Sequence, residues 1–268
     1  MNEEVAAQIN AKRPPVKIII DRVTFENPIH LSNSSQRELV TQLKQIPIDD
    51  SEDWLQEIRD VSVTGAWRNE GFRNVQVTAQ ISEGRVDSVG HHVALEINVN
   101  EGQQFRLGEV MFRSSDADRP LVFPVGELKK YFLLREGDVF NESKVRDGID
   151  ALKGLYGSHG YIDFVAIPLV DVDDKRLRIS LIMELDQEQQ FRIGKVEVFS
   201  SSPQFEQTAR LNLKPGDIFD IRTVKNLLKD NAALLPPDIS DEDLVIHRDV
   251  RSGIVDIRLN LEPCPQVR

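Results

Sequence analysis

The sequence predicts an α+β chain made of three tandem copies of one small strand–helix–helix–strand–strand unit. Three observations lead there. Phe-Arg-Leu-Gly, opening at Phe105, returns as Phe-Arg-Ile-Gly at Phe191, 86 residues later, and Ile18, Ile20, Val23 and Phe25 each stand 87 residues before Phe105, Leu107, Val110 and Phe112. Trp67, Gly71 and Phe72 precede Tyr156, Gly160 and Tyr161 by 89, while Arg-Glu-Gly-Asp-Val-Phe from Arg135 returns as Lys-Pro-Gly-Asp-Ile-Phe from Lys214, at an offset of 79. Within each copy the apolar period changes from two to near four and back, as strands give way to helices. Self-similarity at a nearly fixed offset marks a repeat array, and loop insertions account for the drift. The expected boundaries are a poorly ordered leader over 1–15, repeats over 16–103, 104–189 and 190–263, and a tail over 264–268.

In the first repeat, residues 16–27 read as a strand. A helix starts near Ser34, carries Leu39 and Leu43 on one face, and stops before Pro47. Asp50 or Ser51 is placed to cap a second helix whose apolar face is Trp54, Ile58 and Val61, with Gly65 and Ala66 allowing close packing and Trp67 closing it. Val75, Val77, Ala79 and Ile81 alternate with polar residues, as do Val93, Leu95, Ile97 and Val99, so both segments are strands with one wet face. Residues 83–92 between them read as a polar loop, and Glu101-Gly102 leads straight into the next repeat.

The middle repeat is the clearest. Residues 105–112 form a strand and 124–134 a short helix with Pro124 in its first turn. Gly137-Asp138 makes a turn, and Asn141 caps a helix whose face is Val145, Ile149, Leu152 and Tyr156. Gly157 and Gly160 end that helix. Strands over 162–172 and 175–185 follow, joined at the acidic turn 171–174. In the third repeat, 191–199 is a strand, 205–213 a short helix, and Asp220 caps a helix that bears Val224, Leu227 and Leu228 and breaks at Pro236-Pro237. A hairpin over 244–248 and 254–261 turns at Arg251-Ser252-Gly253.

The totals exclude several function classes. The net charge is −11 with only 33 Lys and Arg against 44 Asp and Glu, which argues against nucleic acid and against docking on anionic lipid. No apolar run approaches the ~20 residues a membrane helix needs. The single cysteine, Cys264, has no partner in the chain, so neither an internal disulfide nor a cysteine-rich zinc site forms. Repeats of about 85 residues each bury only roughly 60–65% of their unfolded surface, so contacts between neighbours matter.

Order and recurrence together give a resemblance. The Phe-x-Leu/Ile-Gly-x-Val opening, the Gly-Asp-Val/Ile-Phe turn, and the helix end marked by Leu152, Leu155, Tyr156, Gly160 and Tyr161 resemble the POTRA repeat, the periplasmic module of outer-membrane barrel-assembly factors of the BamA/TamA family. The first repeat departs at Ile46-Pro47-Ile48-Asp49, which replaces Gly-Asp-x-Phe, and the third lacks Gly-Tyr. The resemblance covers 16–263 and implies, for each repeat, a three-stranded mixed sheet covered by two helices. It further implies a non-enzymatic interaction module in the periplasm, associated with the outer membrane. Its partners would be unfolded outer-membrane proteins or envelope assembly partners, and the module itself a monomer. The alternative is a structural spacer or docking arm of another envelope complex, serving division or polymer export. The N-terminus lacks the basic start and apolar core of a secretion signal. On this reading either a signal was removed and a starting methionine added, or the chain is a piece of a longer one.

Candidate chemistry is sparse, and no catalytic residue, cofactor site or metal site is expected. Gly154 to Gly160 is glycine-rich but ends a helix and lacks the Lys-Ser/Thr of a phosphate loop. Ser158-His159 reads as a surface turn, His91-His92 as a solvated loop, and Asp171–Asp174 as a hairpin turn without the glycine and distal glutamate of a calcium loop. Trp54, Trp67, Phe72, Tyr156 and Tyr161 read as core, and Asp138 and Asp217 as turn acceptors of backbone N–H groups. Pro168 cannot donate to a sheet ladder and so points to an edge strand. The resemblance makes the second strand of each repeat such an edge and implies that partners add a strand there. The candidate residues are Val75, Gln76, Val77, Thr78, Ala79, Gln80 and Ile81 in the first repeat, and Phe164, Val165, Ala166, Ile167 and Leu169 in the middle one. Pro168 is compatible with a binding edge and with a protective one; the first repeat's strand has no proline and is the better candidate.

Overall fold

The computed structural model describes residues 17–261 apart from 28, 47, 50–52 and 238–242. The leader, the expected cap at Asp50 or Ser51, and the tail with Cys264 lie outside the described residues. Three separate sheets are present. The first repeat contains β1 (Lys17–Phe25), α1 (Asn33–Gln45), β2 (Ile48–Asp49), α2 (Trp54–Glu57), a π-helix (Ile58–Val63), α3 (Thr64–Asn69), β3 (Gln76–Val86) and β4 (His91–Asn100). The middle one contains β5 (Arg106–Ser114), α4 (Val125–Leu128) with a 3-10 turn (Lys129–Tyr131), α5 (Glu142–Gly157), β6 (Val165–Asp173) and β7 (Arg178–Asp186). The third contains β8 (Arg192–Ser200), α6 (Pro203–Asn212), α7 (Ile221–Asp230), a 3-10 turn (Ala232–Leu234), β9 (Leu244–Asp249) and β10 (Ile254–Leu261).

The sheet orders are β2-β1-β4-β3, β5-β7-β6 and β8-β10-β9. The last strand of each repeat is therefore internal. It runs parallel to the repeat's first strand and antiparallel to its partner in the hairpin, as registers in the first and third sheets record. The expected three strands are met in the second and third sheets. The first has a fourth, β2, which pairs with β1 over Lys17↔Asp49 and Ile18↔Ile48. Two residues carry no alternation, so periodicity could not announce it.

By density of contacts the chain falls into two compact units. One runs up to Glu109 and adds 134–145 and 171–180; the other holds 110–133, 146–170 and the chain from 181 onward. The line between them crosses β5, β6 and β7.

In the first unit, Leu39 and Leu43 of α1, Trp67, and Leu95 and Ile97 of β4 form the centre of a core. The second helix departs from the expected face. Trp54, Ile58, Val63 and Trp67 are buried, whereas Val61 is 67% exposed. The cause is the π-helix, whose wider turn inserts one residue and makes the buried spacing four, five, four. Thr64 Oγ1 donates to the carbonyl of Arg59, five residues back, at 2.8 Å. Gly65 does not serve close packing, because a Cβ there would meet nothing within 4 Å. In the second unit, Phe191, Phe205, Val224, Val255, Ile257 and Leu259 centre another core. Helix α7 stops at Asp230, before the prolines expected to break it, since Asn231 turns out of helical geometry and its Nδ2 donates to Leu227 O at 2.8 Å. Helix α6 starts at Pro203, two residues early, with Ser202 capping.

Each unit contains one junction between repeats, and the two are built alike. The N–H of Phe105 donates to Gly71 O at 2.8 Å, and Gln104 Nε2 to Glu70 O at 2.9 Å. The N–H of Phe191 donates to Gly160 O at 2.9 Å, and Gln190 Nε2 to His159 O at 2.9 Å. Gly71 and Gly160 have φ of 84° and 86°, and a Cβ on either would lie 2.7 Å from the carbonyl oxygen of the following repeat's phenylalanine. Glycine is required here by both backbone and space.

The first strands of the first and third repeats share a bulge but fill it differently. One extra residue enters β1 at Asp21 and β8 near Gly194. Asp21 lies 3.0 Å from His92 Nδ1. At Gly194 the carboxylate of Asp256 takes the space and accepts the Lys195 N–H at 2.6 Å. At Gly108, the equivalent position in the middle repeat, an added Cβ would overlap Ser180 Oγ.

Glu101 ties the first repeat's second helix to the junction. Its largely buried carboxylate accepts Trp67 Nε1–H at 2.8 Å and the His30 N–H at 2.6 Å, with His30 Nδ1 at 2.6 Å. Burial pushes its pKa up, but the bonds from Trp67 and His30 outweigh that and leave it below the ordinary value of 4.5.

Two outcomes follow. Both tryptophans lie in the first repeat, so urea unfolding followed by tryptophan emission reads its stability. Gly65→Ala should raise that stability by about 0.5–1 kcal/mol, whereas Gly71→Ala should lower it by more than about 1 kcal/mol. The Glu101 stabilisation is present above the unfolded-chain value of 4.5 and is lost as pH falls through the depressed folded value. Glu101→Gln should therefore flatten the acid limb of the same unfolding midpoint plotted between about pH 6 and 3.

Candidate interaction edges

A sheet edge offers unpaired N–H and C=O groups, and a folded chain must cover, blunt or use them. In the second and third sheets the recurring Gly-Asp motif covers the first strand's outer edge. The N–H of Leu107 donates to Asp138 O at 2.8 Å, that of Gly137 to Leu107 O at 2.9 Å, and that of Phe140 to Phe105 O at 3.0 Å. In the third repeat Ile193 donates to Asp217 O at 2.8 Å, Gly216 to Ile193 O at 2.7 Å, and Phe219 to Phe191 O at 3.0 Å. Arg106 and Arg192 close the pattern by donating to Gly137 O at 2.8 Å and Gly216 O at 2.9 Å. Gly137 and Gly216 both have φ of 90°, a conformation that costs glycine nothing. Asp138 accepts the Arg135 N–H at 2.8 Å, as the turn predicts. The first repeat has no Gly-Asp turn and covers the same edge with β2. Sequence reasoning read these glycines as turns alone; their recurrence beside Phe-Arg-x-Gly was the signal that turn and strand belong together.

The other edge of each sheet ends on β3, β6 or β9, and among the described residues no further strand pairs there. Gln76, Val77, Thr78, Ala79, Gln80 and Ile81 lie in β3, and Val165, Ala166, Ile167 and Leu169 in β6, with Pro168 between them. Two candidate residues stand just before the strands. Val75 precedes β3 and packs against the core. Phe164 precedes β6, is buried, and stacks on Tyr156 with ring centroids 3.9 Å apart. β9 was not among the candidates, although its hairpin was read correctly.

The wet faces of the two candidate strands differ. On β3 and β4, Gln76↔Asn100, Thr78↔Asn98 and Gln80↔Glu96 face outward, while Val77↔Val99 and Ala79↔Ile97 face the core. On β6, Val165, Ile167 and Leu169 are 47%, 45% and 38% exposed, so that edge carries an apolar stripe.

The middle repeat holds one buried amide. Gln187 is buried; its Oε1 accepts the Val122 N–H at 2.7 Å and Tyr156 O–H at 3.0 Å, and its Nε2 donates to Pro120 O at 3.0 Å. Burial first, and Tyr161 second, push the Tyr156 phenol up to about 12, which keeps it a donor. A buried amide with three partners fixes the 120–123 loop in place.

His91 and His92 do not sit in a loop; β3 continues to Val86 and β4 begins at His91. His92 is buried with Nδ1 on Asp21, and its Nε2 lies 3.2 Å from Asp87 Oδ2 without the alignment of a hydrogen bond. Ser158 Oγ and His159 Nδ1 do touch, at 3.0 Å, but both also contact Leu155 O at the end of α5. In the acidic turn, Asp173 Oδ1 accepts the N–H groups of Lys175 and Arg176. Among the described residues no cluster of three or more His, Cys, Asp or Glu could hold a metal ion, and no helix is long and apolar enough to cross a membrane.

Comparison with known proteins shows what the chain is similar to. Residues 121–188 match the POTRA family model, described as a surface antigen variable number repeat. The outer membrane protein assembly factor BamA of Neisseria meningitidis serogroup B is 21% identical over 212 residues, covering 72% of this chain and 25% of that protein. The chain thus spans about a quarter of the length of that curated relative. The crystal structure of POTRA domains 3–5 of Haemophilus influenzae BamA is similar with a TM-score of 0.62 at 17% identity, over 95% of this chain and 100% of that one. Residues 121–188 are thus similar in sequence to POTRA repeats, and the chain shares the fold of the tandem POTRA domains of BamA.

Proposed function

We propose that this chain is a non-enzymatic interaction module of the periplasm that assists assembly of outer-membrane β-barrel proteins. On this reading β3 and β6 take up extended segments of unfolded barrel proteins or of assembly partners. The observation that carries it is the asymmetry of the edges: among the described residues the first strand's edge is covered in every sheet, and no strand pairs with the hairpin's edge. Each added backbone bond contributes only about 0.5–1.5 kcal/mol net. Binding would be weak and tolerant of sequence, as suits transient handling of unfolded chains. A net charge of −11 is consistent with a protein partner rather than nucleic acid.

The short, doubly bonded junctions at Gly71 and Gly160 favour a second reading, a spacer or docking arm of another envelope complex. Crosslinking from β3 in cells separates the two: a ladder of nascent barrel proteins supports the first, and one stoichiometric partner the second.

The direct test is titration of the isotope-labelled chain with synthetic peptides copied from barrel-protein strands. Amide shifts confined to Gln76–Ile81 and to Val165, Ala166, Ile167 and Leu169 are expected. No shift along either strand at about millimolar peptide would remove the client-handling role.

A further inference from the structure

The π-helix of the first repeat borders an apolar groove. Between β2 and this helix lies a groove of about 430 Å³. Its floor is Ile48, Trp54 and Ile58, all buried, and its walls are Ile46, 37% exposed, and Val61, 67% exposed. Single-turn π insertions inside α-helices occur often at functional sites. Here the insertion sends Val63 into the core and leaves Val61 outside as a wall of the groove.

Charge says what fits. Asp49 and Glu57 line the same groove, are exposed, and form no ion pair among the described residues. The nearby Arg59 is held by Asp60 at 2.7 Å. An apolar slot with an acidic rim repels anionic lipid and a second copy of this acidic chain. It complements a bulky apolar side chain carried between basic residues.

We propose that this groove is a second interaction site, separate from the sheet edges, which binds a segment of a partner protein presenting one large apolar side chain flanked by lysine or arginine. The apolar side chain would lie against Val61, Ile46 and Trp54, and the cationic flanks against Asp49 and Glu57. Burial of the apolar group supplies attraction without direction; the charges supply selectivity.

The test uses the whole chain with methyl groups labelled and two synthetic octapeptides. Both carry Leu-Phe at the centre; one has lysines on each side and the other glutamates. The lysine peptide should shift the methyl groups of Ile46, Ile58 and Val61 and bind at least about tenfold more tightly than the glutamate peptide. Val61→Ser, at an exposed position, should leave the tryptophan-detected unfolding midpoint in place and weaken binding by about tenfold. Asp49→Asn with Glu57→Gln should abolish the preference for lysine. Equal affinity of the two peptides, shifts elsewhere, binding unchanged by Val61→Ser, or no shift at about 2 mM peptide would each overturn the proposal.

Discussion

A three-stranded sheet has two rows of backbone donors and acceptors at its rims, and in water-exposed small domains those rows invite unwanted pairing. Each repeat meets this constraint on one side from its own chain. In the second and third repeats a glycine in the left-handed region lets the Gly-Asp turn fold back on the first strand, with a guanidinium added on the turn's carbonyl. In the first repeat a two-residue strand does the same. The phenylalanine of the Phe-Arg-x-Gly opening is common to both halves of this device. Its carbonyl receives the turn's Phe140 or Phe219 amide, and its own amide is given to the helix-end glycine of the preceding repeat. One residue thus closes an edge and joins two repeats, which explains why motif and spacing recur together.

The architecture was legible because the strongest signals in the sequence are local chemical necessities. Positive-φ glycines at 71, 137, 160 and 216 tolerate no other side chain without strain, so they persist where the rest of the repeat drifts. The helix face of Val145, Leu152 and Tyr156 was legible for the same reason that helices are: 3.6 residues per turn leaves a readable stripe. What escaped reading broke a period. The π insertion shifts the buried set by one residue, and any reading that assumes a regular turn then sends Val61 inward and gives Gly65 a packing role. β2 is too short to alternate. Helix α7 stops on the side chain of Asn231, a signal weaker to the eye than the prolines beyond it.

The candidate edges fared unevenly. The strands were found because alternation on one face is a direct consequence of half-burial, and Pro168 marked an edge because it has no N–H to give. Their limits were not legible: Val75 and Phe164 are apolar residues adjoining strands, and backbone pairing rather than apolarity sets where a strand begins. The difference between the polar face of β3 and the apolar stripe of β6 was visible in the sequence, yet its meaning depended on knowing which side of each strand the helices cover. His92 shows the converse, a polar residue read as solvated that lies buried because Asp21 fills the bulge beside it.

That bulge limits how far the three copies can be treated as one sequence. The equivalent position holds an Asp–His contact in the first strand, glycine against a serine in the middle one, and glycine under an incoming carboxylate in the third. Transplanting the glycine to position 21 would leave a buried imidazole without its acceptor, and transplanting the aspartate to position 108 would drive it into Ser180. An averaged repeat, built by taking the commonest residue at each aligned position, would mix halves of incompatible solutions. The copies are equivalent as shapes, and each has its own grammar of paired side chains beneath that shape.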